Sequence, residues 1–262
     1  MRIPTLLRLA GSVALMAATA LVSACNLHLG SGVEARDTWT RSYPVKAGAT
    51  LEIREGNGRV HVVAGDGEKI EISATRIAKA PTEEAAQTAL KEFTIEESVT
   101  ADGVSLDGTR GMVGLNRSRS VSYEIKVPRS VNITIKGTNG DVDVDGITGV
   151  LRVETTNGRV LAARLGDGAD ISSVNGQIDL DFTTVGASGV RCKTTNGQII
   201  VTIPTTAKAT IAGRVTNGIV HTENLTVQAT EQSNRRLDAT IGGGGPEIRL
   251  ETVNGEVRVV GK

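Results

Sequence analysis

The chain has 262 residues, and 29 Lys plus Arg balance 29 Asp plus Glu, so its formal net charge is zero. No basic excess points to nucleic acid, no acidic run to a disordered tail, and the two cysteines, Cys25 and Cys192, build no disulfide framework. Aromatics make up only 2% while Gly reaches 31, so a core of Val, Ile, Leu, Ala and Thr between narrow stacked strands is expected.

Arg2 and Arg8 precede an uncharged, mostly apolar stretch from Leu9 to Val22. That layout reads as a secretory signal, and the apolar run is short for a membrane span. It ends in Val22-Ser23-Ala24-Cys25, which resembles a bacterial lipobox. The resemblance implies a lipoprotein signal peptide over 1–24 and lipidation of Cys25, with 25–44 as the lipid-anchored tether. An ordinary signal peptide that happens to hold a cysteine is the alternative. Removal of 1–24 takes two arginines from a balanced chain and leaves a mature charge of −2. Acyl chains would hold the protein on a membrane, since each buried methylene contributes about 0.8 kcal/mol. Asn26, rather than Asp, after the cysteine resembles the outer-membrane sorting pattern of Gram-negative cells. With Cys25 lipidated, Cys192 has no disulfide partner.

Past the tether, Asn57-Gly58 is the first of seven Asn-Gly pairs; the others start at Asn139, Asn157, Asn175, Asn196, Asn217 and Asn254. Between the first and second lies a different stretch. Strands are predicted over 69–77, 93–98, 103–106 and 121–127, with a loop over 111–120. A short capping helix is predicted over 82–93: Pro81 stands at its start, Glu83 and Glu84 in its first turn, and Ala86, Ala89, Leu90 and Phe93 at helical spacing. It should cover an end or edge of the strands.

From Asn139 the pairs recur at steps of 18, 18, 21, 21 and 37 residues. The last step is near two units, which suggests a degenerate unit with its turn near Asn234-Arg235. Counting from each Asn, positions six and four before and three and five after are nearly all aliphatic; around Asn157 they are Leu151, Val153, Val160 and Ala162. The positions between are mostly polar. Each unit therefore carries two half-buried strands flanking a corner. Such units could form successive hairpins, because Asn-Gly favours tight turns, or a parallel solenoid. The equivalence of positions favours the solenoid, where like stacks on like about every 4.8 Å. Outward charges then fall on neighbouring strands with opposite sign, as in Arg152–Asp170–Arg191 and Lys136–Glu154.

The repeated Thr138-Asn139-Gly140, Thr156-Asn157-Gly158, Thr195-Asn196-Gly197 and Thr216-Asn217-Gly218 resemble a bacterial family of unknown function known as "putative adhesins", related to the head domains of autotransporter adhesins. Tyr123 to Pro128 and the run Gly242 to Gly245 are similar to it too, and the likeness spans roughly 45 to 260. It implies an all-β fold, a single-stranded parallel β-helix over 45–262, on an exported, often lipid-anchored protein. About six to eight coils are expected.

Chemistry-bearing residues are sparse. Asp141, Asp143 and Asp145 alternate on one face and Asp179 and Asp181 recur two units on, a spacing that could serve calcium or polysaccharide cleavage; Arg159, Leu161 and Ala163 interrupt it. His28, His61 and His221 show neither zinc-ligand spacing nor a Ser/His/Asp order and read as surface histidines. Cys192 takes an inward slot equivalent to Ile171 and reads as a core thiol with a raised pKa. The corners could cradle anions, but their regularity reads as a folding device, the Asn bonding backbone along the stack. No cofactor, metal or catalytic set is expected. The expected role is a non-enzymatic envelope lipoprotein, an adhesin or surface scaffold, probing an unidentified envelope protein or glycan. A carbohydrate-binding or carbohydrate-cleaving β-helix and an envelope-stress or signalling accessory are the alternatives.

Overall fold

A computed structural model describes residues 32–109 and 118–262. The signal peptide, Cys25 and His28 lie outside the described residues. In chain order the first elements are β1 (Val33–Pro44), β2 (Thr50–Arg54), β3 (Val60–Gly65), β4 (Lys69–Ala80), α1 (Glu83–Glu92), β5 (Glu96–Thr100), β6 (Gly103–Asp107) and β7 (Ser118–Pro128). Strand pairs follow: β8 (Asn132–Lys136) with β9 (Val142–Asp145), β10 (Leu151–Asn157) with β11 (Val160–Leu165), β12 (Ala169–Asn175) with β13 (Ile178–Phe182), and β14 (Val190–Asn196) with β15 (Ile199–Ile203). The chain closes with β16 (Ala209–Glu223), β17 (Gln228–Ser233), β18 (Arg236–Ile241) and β19 (Glu247–Gly261).

The two strands of a unit do not pair with each other. Each pairs in parallel with its equivalent in the neighbouring unit, so Leu151 lies between Ile133 and Ala169, and Val160 between Val142 and Ile178. That excludes hairpins at the Asn-Gly corners and establishes a largely parallel, solenoid-like stack. Before the corner the order is β6–β2–β8–β10–β12–β14–β19–β16, and after it β7–β3–β9–β11–β13–β15–β19–β16. The alternation works as the sequence implies. Leu151, Val153, Val160 and Ala162 are fully buried, and each buried aliphatic of Val or Leu size stabilises by roughly 1.5–3 kcal/mol.

The order departs from a continuous single-stranded helix at both ends. Only β8 to β15 stack in chain sequence. The first unit, β2 and β3, lies between β6–β7 and β8–β9. The last unit, β19, wedges between β14–β15 and β16. The 37-residue step is therefore no degenerate coil. Its turn does fall at Asn234-Arg235, but it joins β17 and β18 in an antiparallel hairpin laid over the first half of β16. Leu237, Ala239 and Ile241 close the core there, and a two-residue turn permits only antiparallel neighbours.

At the other end β1, β4 and β7 form an antiparallel ribbon. The tether expected over 25–44 thus needs correction: its second half is β1, paired along its whole length with β4, with Ala35 and Tyr43 buried. The helix stands where predicted. Thr82 caps it, its Oγ1 accepting from the Ala85 amide at 3.2 Å, and Ala86, Ala89 and Leu90 pack on Ala35, Ala78 and Ala80. Of the predicted loop 111–120, residues 118–120 belong to β7 and the rest lie outside the described residues.

The corners are built from two ladders. Each Asn amide donates to the next Asn side-chain oxygen at 2.7–2.9 Å or close to it, in the order 217, 254, 196, 175, 157, 139, 57. The expected Asn-to-backbone bond is thus replaced along the stack by an amide-to-amide ladder, because parallel registration brings identical side chains face to face. Beside it the glycines touch: a Cβ on Gly158 would stand 2.2 Å from the Gly140 carbonyl oxygen, and one on Gly176 1.9 Å from that of Gly158. Only glycine fits.

Candidate binding surface

The outward side chains of the strands after the corners form one continuous row. Strand register sets Thr40, Ser73, Glu124, His61, Asp143, Leu161, Asp179, Ile200, Arg258 and His221 side by side. From His61 onward these side chains are half-buried or buried, although they point away from the core. Outward residues before the corner are exposed in the middle of the stack, as at Arg152, Asp170, Arg191 and Lys193, and half-buried at Glu52, Thr134 and Arg249. The two surfaces of the stack are therefore unlike: one sheltered and partly apolar, the other open and charged.

A groove of about 680 Å³ opens at the β1 end of this row, over β1, β4, β7 and β3. Hydroxyls of Thr40, Ser42 and Ser73, carboxylates of Glu71 and Glu124, the His61 imidazole and the Lys126 amine line it. His61 Nε2 stands 3.9 Å from Glu124. Ser73 is separated from His61 by the intervening β7, two strand spacings or about 10 Å, too far for a hydroxyl–imidazole pair. The groove can offer hydrogen bonds to a polar ligand but does not assemble an activated serine.

The acidic residues singled out from sequence do share a face, and all but Asp179 have their own partner. Asp141 accepts from the Arg159 amide at 2.8 Å. Asp143, only 6% exposed, binds the Arg59 guanidinium, with Nε at 2.7 Å. Asp145 pairs with Arg164 and Asp181 with Lys262. Asp179 lies two strands from Asp143 with Leu161 between, and burial raises its pKa. His221 sits near the far end of the row, 3.1 Å from Glu223 and 3.6 Å from Glu256. The two described histidines thus stand near opposite ends of one surface, a relation hidden in the sequence because β19 inserts out of order.

Cys192 is 1% exposed and burial drives its thiol pKa far up, so it is a core residue as read. Glu55 went unnoticed in the sequence. It occupies the inward slot two before Asn57, where the other units carry Gly137, Thr155, Ser173, Thr194, Thr252 and Val215. It is 2% exposed, and desolvation pushes its carboxyl up to about 8. Gly137 makes room for it, since a Cβ there would meet Glu55 Oε1 at 2.7 Å. Extending the alternation through the corner would have revealed a carboxyl in a core slot. The charge alternation on the open surface is in register as read, but Arg152–Asp170–Arg191 and Lys136–Glu154 do not close into ion pairs.

The parallel stack of Asn-Gly units marks a β-rich repeat domain, and residues 42–260 match the Toastrack DUF4097 family model. The chain belongs to the Toastrack DUF4097 family. It is similar to a solved "putative cell adhesion protein" from Clostridium sporogenes, at 17% identity and a TM-score of 0.45, covering 88% of this chain and 100% of that one. It is also similar to a "putative adhesin" from Bacteroides fragilis, at 13% identity and a TM-score of 0.43, covering 85% and 97%. Among curated proteins, nothing matches the chain.

Proposed function

We propose that the chain is a non-enzymatic cell-envelope lipoprotein, anchored through Cys25, that docks an envelope or cell-surface partner along the surface after the corners. The observation that carries this reading is the sheltered row itself. Leu161, Ile200, Val63 and Val260 are outward yet half-buried, and they sit among carboxylates and two histidines on a parallel sheet. A mixed apolar and polar face with a polar rim has the composition of a contact surface. The partnered carboxylates and the separation of Ser73 from His61 favour binding over catalysis. The lipobox supports export and anchoring, and Asn26 the outer membrane, periplasmic or surface-facing.

Capture from intact envelopes tests the surface. Replacing Leu161 and Ile200 together by Arg should abolish capture of the partner and leave the unfolding midpoint nearly unchanged, because both side chains point outward. Undiminished capture would place the contact elsewhere. The polar groove also suits a saccharide, which is the second reading. Cleavage of a uronate polymer that disappears on Asp141→Asn or Asp143→Asn would overturn the non-enzymatic assignment.

A further inference from the structure

On the open surface, before the corners, register sets Arg152, Asp170, Arg191 and Arg249 on four consecutive strands, β10, β12, β14 and β19. They border a pocket of about 380 Å³. Its remaining wall is the loop between β13 and β14. The unit that contains this loop spans 21 residues between Asn175 and Asn196, against 18 between Asn157 and Asn175, so the wall is an insertion. Asp167 pins it, accepting from the Ser188 amide at 3.4 Å and the Ser188 hydroxyl at 3.2 Å.

Only one of the three guanidiniums is neutralised nearby. Arg249 donates to Glu247 at 2.8 and 3.2 Å and stands 3.8 Å from Glu251. The side chains of Arg152, Asp170 and Arg191 make no hydrogen bond or ion pair with any described residue. Arg191 and Arg249 stand directly in register, and like charges so placed on adjacent strands are destabilising. An anion seated between them would relieve that repulsion.

We propose that this pocket binds a hydroxylated monocarboxylate, a uronic acid residue being the chemical class that fits. With Arg249 neutralised by its own carboxylates, Arg152 and Arg191 against Asp170 leave one positive charge, which matches a monoanion. A dianion such as phosphate would face the carboxylates of Asp170 and Glu247. The guanidinium fork matches a carboxylate in two parallel hydrogen bonds. Asp170, which only accepts, requires donors from the ligand, and sugar hydroxyls supply them. The volume lies in the range of small-ligand sites, about 300–1,000 Å³. This site is separate from the surface after the corners and does not depend on that proposal.

Titration of the purified protein with galacturonate, its trimer, glucose and inorganic phosphate, at low salt and followed by calorimetry, tests it. Galacturonate and the trimer should bind, with glucose and phosphate each weaker. Arg152→Gln and Arg191→Gln should each weaken galacturonate about tenfold, as loss of a charged hydrogen bond implies. Neither variant should unfold below the parent midpoint, since neither side chain has a partner to lose, and Arg191→Gln also relieves its repulsion with Arg249. The double substitution of Leu161 and Ile200 by Arg should leave this binding intact. Glucose binding as tightly as galacturonate, phosphate binding more tightly, no uptake of galacturonate at millimolar concentration, or Arg variants that bind like the parent would each overturn the assignment.

Discussion

Replacing Gly176 by Ala isolates the close approach of neighbouring corners from backbone strain. The Gly176 backbone lies outside the left-handed region, so alanine meets no φ penalty there. Its Cβ would nevertheless stand 1.9 Å from the Gly158 carbonyl oxygen. An ordinary contact needs over 3 Å, so two strands about 4.8 Å apart must part by roughly 1 Å at the corner. That movement stretches the Gly158 amide bond to the Asn175 carbonyl, now 3.1 Å, and the Asn175 rung to Asn157, now 2.9 Å. Overpacking costs about 1–3 kcal/mol and each of the two weakened bonds about 0.5–1.5, so the substitution should destabilise by about 2–6 kcal/mol. Gly48→Ala is the control. Gly48 has φ +77° but open space around it, so only the left-handed penalty of about 1–2 kcal/mol applies. Urea unfolding of the two variants reads the difference. A Gly176→Ala midpoint at or above that of Gly48→Ala would refute the packed-corner explanation.

Glu55 should tilt the pH dependence of stability. Burial raises its pKa from 4.5 to about 8, so the folded chain keeps a proton that the unfolded chain releases between those values. Its contribution is fully present below pH 4.5 and is lost as pH rises to about 8, by roughly 4–5 kcal/mol in all. Glu55→Gln should flatten that slope in urea titrations at stepped pH, and an unchanged slope would assign it to other groups. Asn175→Leu removes the rungs to Asn157 and from Asn196, and since both amides remain open to water the loss should be only about 1–2 kcal/mol in the same assay. A larger loss would mean the ladder acts beyond its own hydrogen bonds. The Cys192 thiol, buried with a raised pKa, should react with a thiol reagent only as fast as the protein opens; rapid labelling of the native state would contradict its core position.

The interior of the stack was legible because its period is local. Leu151, Val153 and Val160 could be placed inward by counting from Asn157, and the helix could be placed from Pro81, its acidic first turn and its apolar spacing. Stacking order was not legible, because the aliphatic columns of β16 and β19 are interchangeable with any other unit and nothing in residues 247–261 states which neighbours they enter. The same gap hid the relation of His61 to His221 and the placement of Arg249 beside Arg191. The antiparallel pairing of β1 with β4 escaped notice for a different reason: Asp37 and Arg41 stand on the same parity as buried Ala35 and Tyr43 and break the alternation, as charges on an edge strand commonly do. Glu55 shows the limit of reading residue types alone, since a carboxyl in an inward slot is tolerated only because Gly137 on the neighbouring strand has no side chain.

Anchoring through Cys25 is the claim on which the envelope assignment stands. Cells fed labelled palmitate and then fractionated, with the parent chain and with Cys25→Ala, test it most directly. Label on the parent with recovery in the membrane fraction, and an unlabelled, released Cys25→Ala protein, is the expected result. Palmitate on the Cys25→Ala protein, or a parent chain that is soluble and unlabelled, would contradict it.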